Sequence, residues 1–155
     1  MKPQEPGRLL LSAAGVIEAP LDAVAELALE PEARDGAVLT GGPTRFGIVP
    51  AGHAEPVSFI EVDRERRSIA MEGRWWFRGV YSLESHPAGT LVVYRVYDVA
   101  RRARWLVPMI LLQYRLSGTL DRRALESELE SFIGRIGRRL GRATRLVAGA
   151  GEAKP

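Results

Sequence analysis

The chain has 155 residues, no cysteine and a formal net charge of +3, with 46% hydrophobic and 26% charged residues. That is the length of one globular domain, able to bury a core without disulfides or metals, and the absence of cysteine excludes a disulfide framework, a thiolate zinc site and a cysteine nucleophile. The basic balance is carried by 20 Arg and 2 Lys against 14 Glu and 5 Asp, which favours anionic partners in kind but only modestly in amount at +3.

Residues 1–7 are polar and lack the apolar run of a signal peptide. Residues 8–19, in which Leu9, Leu11 and Ala13 alternate with Leu10, Ser12 and Ala14, read as a first strand, closed by Ala19-Pro20 because proline cannot donate to a ladder. Leu21, Val24, Ala25, Leu27 and Ala28 then predict a short helix ending at Pro31, and residues 32–36 a second short helical turn. After the break at Gly41-Gly42-Pro43, strands are expected over 44–49, 57–62, 67–72, 75–85 and 90–99. Their short polar joints require antiparallel pairing, since parallel strands need crossovers of about a dozen residues. The block 105–112 is the longest apolar run, but at eight residues with Pro108 inside it falls short of a bilayer span. It suits a buried strand or a short helix. Finally, Leu125, Leu129, Phe132, Ile133, Ile136 and Leu140 form one apolar stripe of a long helix over 120–147 with Asp121 as its N-cap, and Arg135, Arg138, Arg139, Arg142 and Arg145 form its wet back. The expected protein is cytoplasmic, a single domain over 8–147 with flexible ends at 1–7 and 148–155.

This order of elements, with the segment Ile17-Glu18-Ala19-Pro20-Leu21-Asp22-Ala23-Val24 followed by Leu27 and Pro31, resembles the START-like superfamily of helix-grip proteins, which includes polyketide cyclases and lipid-transfer domains. Ala88-Gly89-Thr90-Leu91-Val92-Val93-Tyr94 is similar to that family's Gly-Thr hairpin, and with the final helix the likeness spans most of the chain. The tryptophan common in the family after its second short helix is absent from 33–39. The resemblance implies an α+β fold, a curved antiparallel sheet wrapped around a long C-terminal helix with two short helices after the first strand, and a cavity between sheet and helix for an apolar small molecule. Within it, strand alternation and the helix stripe nominate Trp76, Arg78, Val80, Tyr94, Val96, Met109, Phe132 and Ile136 as lining.

The ligand class implied is a lipid or polyketide-like compound, bound without metal or other cofactor. An enzyme of the cyclase or dehydratase kind on the same fold, using Arg78, Tyr94 or Arg95 to hold developing negative charge, is the alternative. A second alternative is a membrane- or nucleic-acid-interacting module that uses the arginine face of the last helix; Arg101, Arg102 and Arg104 beside the apolar block allow a weak peripheral membrane contact, and nucleic acid is the less expected partner. That polarity also complements the helix dipole, with Glu126, Glu128 and Glu130 in the first half of the helix. His53 and His86 sit in separate turns, too few for a metal. No Gly-x-Ser-x-Gly elbow and no phosphate-binding Gly-Lys-Ser/Thr loop is present. Gly134, Gly137 and Gly141 flank the apolar stripe although each interior glycine costs a helix about 0.5–1 kcal/mol, which leaves room either for a ligand or, the favoured reading, for close approach of a strand.

Overall fold

The computed structural model describes residues 7–73, 77–99, 108–109, 112–113 and 121–148. In chain order the elements are β1 (Arg8–Ile17), α1 (Leu21–Ala28), β2 (Val38–Gly41), β3 (Arg45–Val49), β4 (Ser58–Asp63), β5 (Ser68–Gly73), β6 (Phe77–His86), β7 (Gly89–Asp98), α2 (Arg122–Leu140) and β8 (Thr144–Val147). The eight strands form one curved, unclosed antiparallel sheet in the order β2-β3-β4-β5-β6-β7-β1-β8. The fold is α+β, with the long helix gripped by the sheet.

The local chemistry explains the borders. Pro20, at φ −58°, precedes the first turn of α1, and the Thr90 hydroxyl donates to the Ala19 carbonyl at 2.8 Å, tying the strand-to-helix turn to β7. Asp121 caps α2 by accepting from the Ala124 N–H at 2.7 Å. At the other end Gly141 takes a left-handed conformation, φ 63°, and the Arg142 N–H bonds to the Gly137 carbonyl at 2.8 Å. The helix therefore stops at Leu140, not at 147. The residues beyond it form β8, which pairs with β1 from Ile17↔Thr144 to Ala14↔Val147.

A second departure lies after α1. No helical turn forms over 32–36: Asp35 and Gly36 have positive φ, 55° and 74°, and a turn closed by the Ala37 N–H on the Arg34 carbonyl delivers the chain into β2. This four-residue edge strand, with Val38 61% exposed, has too little buried face to leave a pattern in the sequence. Of the apolar block 105–112, residues 108, 109 and 112 are helical and the others lie outside the described residues.

The core is the expected stripe. Leu125, Leu129, Ile133 and Ile136 of α2 are buried against Ala13 and Ile17 of β1, Val24 of α1, and Val92, Tyr94 and Val96 of β7. At about 25 cal/mol per Å² of apolar surface removed from water, this is the main force holding helix to sheet.

Candidate functional site

Away from that core, between α2, the loop after α1 and strands β3 to β6, lies a cavity of about 800 Å³. Its sheet wall includes Ile48, Ile60, Ile69 and Tyr81, its helix wall Phe132 and Ile136, and Leu27 and Ala28 of α1 close one end. Exposed charged residues border it: Glu30, Glu32, Arg34 and Asp35 from the loop, and Glu128, Arg138 and Arg139 from the helix. Arg135 and Arg139 both pair with Glu32, at 3.1 and 3.7 Å, so the loop is strapped to the helix across the opening.

Strand register sets the aromatic wall. The β6–β7 hairpin turns between His86 and Gly89 and pairs without slip back to Tyr81↔Tyr94, so these two side chains share the inner face. Their rings stack at 4.1 Å and 4°, and Phe132 of α2 stacks on Tyr81 from the helix side at 4.1 Å and 15°. Tyr94 lies over Gly79, where a Cβ would stand 2.9 Å from its hydroxyl oxygen. Tyr81, Tyr94 and Glu128 are close enough to act on one another electrostatically.

The electrostatics follow from this burial. Desolvation pushes the Tyr81 phenol well above the usual tyrosine range, and neighbouring Tyr94 and Glu128 add to the rise. Tyr94 is raised by burial first and Glu128 second. The Glu128 carboxyl is also raised by burial, against the opposing pull of the Arg34 guanidinium and the Tyr94 hydroxyl. Arg135 is lowered by burial and by the nearby Arg34 cation, with Glu32 acting the other way.

No protein-family model and no curated protein matches the chain. Among solved structures, TTHA0849 from Thermus thermophilus superposes with a TM-score of 0.50 at 18% identity, over 83% of this chain and 98% of that one. The solution structure of the polyketide-cyclase-like protein Cgl2372 from Corynebacterium glutamicum gives 0.52 at 13% identity, over 84% and 91%. The chain shares the helix-grip fold of these structures. In helix-grip terms, the cavity described above is the space between grip and helix.

The residues nominated from sequence meet five different outcomes. Phe132 and Ile136 line the cavity. Tyr94 and Val96 belong to the buried core beside it, Tyr94 forming the back of the ring stack. Arg78 and Val80 stand on the outer face of the sheet, where Val80 pairs with Arg95 and Ala70 rather than facing Tyr94. There Arg78 binds Glu72 at 2.9 Å and Glu61 at 3.6 Å, and Arg95 donates to the Ser82 hydroxyl at 3.1 Å. Met109 is 65% exposed and is absent from the cavity wall. Trp76 lies outside the described residues.

Tyr81 and Glu128 line the cavity but are not among the residues nominated from sequence. Both carried a signal. An unslipped hairpin from Gly89 obliges Tyr81 and Tyr94 to share a face, and Glu128, Phe132, Arg135 and Arg139 recur at helical spacings of 4, 3 and 4 along one flank of α2. The helix arginines are therefore split in role, since Arg135, Arg138 and Arg139 border the cavity rather than forming a wet back. Of the helix glycines, Gly137 meets the side chain of Thr144, where a Cβ would overlap it, and Gly141 ends the helix. Among the described residues no cluster of His, Asp and Glu could hold a metal, and no helix is long and apolar enough to cross a membrane.

Proposed function

We propose that this protein binds a compact, largely apolar small molecule, lipid-like or polyketide-like, in the cavity between the sheet and α2. The observation that carries this is the cavity itself: about 800 Å³, with Ile48, Ile60, Ile69, Phe132 and Ile136 on its walls and charged residues at its exposed border. Such a volume is in the range that natural small-molecule sites use. Every 100 Å² of apolar ligand surface buried there would contribute roughly 2.5 kcal/mol.

The test is native mass spectrometry of the purified protein, followed by thermal denaturation against a panel of fatty acids and aromatic polyketide-like compounds. A stoichiometric adduct of a few hundred daltons, or a concentration-dependent rise in Tm, is the expected result. An empty protein that no member of the panel stabilises would sink the proposal.

A reaction in the same cavity is the second reading we carry, favoured by one observation: Tyr81 and Glu128 bring ionisable groups to the cavity wall, with the Tyr94 ring stacked behind Tyr81. Arg78 and Arg95, on the outer face, have no access to a molecule bound there. Turnover of the bound compound, lost in Glu128→Gln while binding persists, would establish chemistry. A membrane or nucleic-acid role for the helix arginines has weaker support, because Arg135 and Arg139 are engaged by Glu32. Steep loss of vesicle binding with added salt would be its mark.

A further inference from the structure

The strap across the cavity opening is held by one carboxylate. Glu32, on the loop after α1, pairs with Arg135 at 3.1 Å and with Arg139 at 3.7 Å, and among the described residues no other acid pairs with either. A single negative charge thus serves two guanidiniums. The wider border leans the same way: Glu30 is drawn off to Arg64 at 3.5 Å, which leaves Glu32, Asp35 and Glu128 against Arg34, Arg135, Arg138 and Arg139. Cations are in excess there.

Arg135 is the cation that most needs an anion beside it. Its side chain is only 35% exposed, its Nε is buried with no hydrogen-bond partner among the described residues, and its guanidinium lies 5.7 Å from the centre of the Phe132 ring in the cavity wall. Burial and the Arg34 cation both work against its charge, while Glu32 works for it. Glu32, by contrast, is half exposed and sits on a loop segment that no helix or strand holds in place. It is free to leave.

We propose that Glu32 stands in for the carboxylate of the ligand: an apolar monocarboxylic acid takes the place of Glu32 on Arg135 and Arg139 as it enters, and the loop is released. The proposal rests on the cavity being the binding site, and it names both the head group selected there and the contact that guards it. Entry past the strap separates Glu32 from a partly buried arginine, and breaking such a pair is costly unless another anion completes it. An acid does so with charge-assisted hydrogen bonds to the guanidinium fork. A neutral molecule of the same shape leaves Arg135 uncompensated.

The experiment uses two probes of nearly the same shape, naphthoate and naphthamide, titrated calorimetrically into the full chain at neutral pH. Naphthoate is expected to bind about tenfold more tightly, the difference between a charged and a neutral hydrogen-bond partner. Arg135→Gln should bring that preference to parity, and Arg139→Gln, on a more exposed side chain, should reduce it. Glu32→Gln removes the competitor, so both probes should bind about threefold to tenfold more tightly while the preference for naphthoate persists. A carboxylate that only added charge to the border would leave naphthamide binding untouched in that variant. In the native chain, amide exchange over 32–37 should quicken when naphthoate binds, because the loop has lost its anchor. Equal affinity for the two probes, a naphthamide affinity unchanged by Glu32→Gln, or exchange that stays the same or slows over 32–37 overturns the proposal and leaves the cavity reading standing. Failure of both probes to bind overturns it as well, and the cavity reading falls with it if the lipid and polyketide panel also fails.

Discussion

The two sides of helix α2 meet the sheet in opposite ways. On the β1 and β8 side the approach is close: a Cβ on Gly15 would stand 2.7 Å from the Cδ1 of Ile133, and Gly137 abuts Thr144. On the β3 to β5 side the helix presents Phe132 and Ile136, the sheet presents Ile48, Ile60 and Ile69, and a cavity separates them. Space thus occurs where side chains are large, and contact where they are absent. Glycine on β1 draws the helix to one side of the curved sheet, and the strands on the other side cannot follow it. The cavity comes from helix placement rather than from small residues lining a hole.

The sharpest way to break this comparison is to truncate the same residue type on each side. Ile133 is fully buried on the close side, and Ile133→Ala should cost about 2–5 kcal/mol, because a new void opens among tightly packed neighbours. Ile136→Ala, at the cavity, should cost less than half as much in urea unfolding and should enlarge the range of compounds bound. Equal losses would mean that the two sides are packed alike.

A second measurement concerns the ring stack. Tyr81 and Tyr94 are held neutral by burial, with ionisation raised above the ordinary tyrosine value. The folded state therefore favours the protonated phenols. Their contribution is fully present below pH about 10 and is lost as pH rises beyond it, because the unfolded chain ionises first. Stability should fall by up to about 1.4 kcal/mol per tyrosine per pH unit above that point. Phenolate absorbance from these two rings should appear only as the protein unfolds, and the Tyr81→Phe/Tyr94→Phe double variant should flatten the alkaline slope. Phenolate formation at ordinary pH in the folded chain would contradict the burial.

The smallest expected effect is on the outer face. Arg78 is shared by Glu72 and Glu61 in a solvent-facing ladder that also engages Arg45, at 3.4 Å from Glu61. Substituting Glu61→Gln and Glu72→Gln should cost no more than about 1 kcal/mol, since exposed ion pairs are screened and entropically expensive. Probe binding should not change. A loss of ligand affinity in this variant would mean that the outer ladder reaches the cavity.

Much of the fold was legible because its signals are local. The stripe from Leu125 to Leu140, the Pro20 border and the alternating strands follow from helical and strand periods that each residue carries in its own neighbourhood. The site was less so. Arg78 and Val80 look as suited to a cavity as Tyr81 does until the β6–β7 register sorts the faces, and one residue of slip exchanges them all. The helix arginines read as a solvent face because a cavity border and open water both favour charge. Composition likewise carries a helix past Gly141, where the backbone turns left-handed and feeds β8.

By itself, then, the sequence determined the kind and order of most elements, the apolar stripe on the last helix and the antiparallel character of the sheet, all of which depend on backbone geometry over a few residues. Only the tertiary structure decided that Tyr81, Tyr94, Phe132 and Glu128 meet, that Glu32 reaches Arg135 across 103 positions, and that space remains between α2 and the sheet. Those facts depend on how far a helix stands from strands distant in the chain, a distance set by the glycine contact at β1 and by the curvature of the whole sheet.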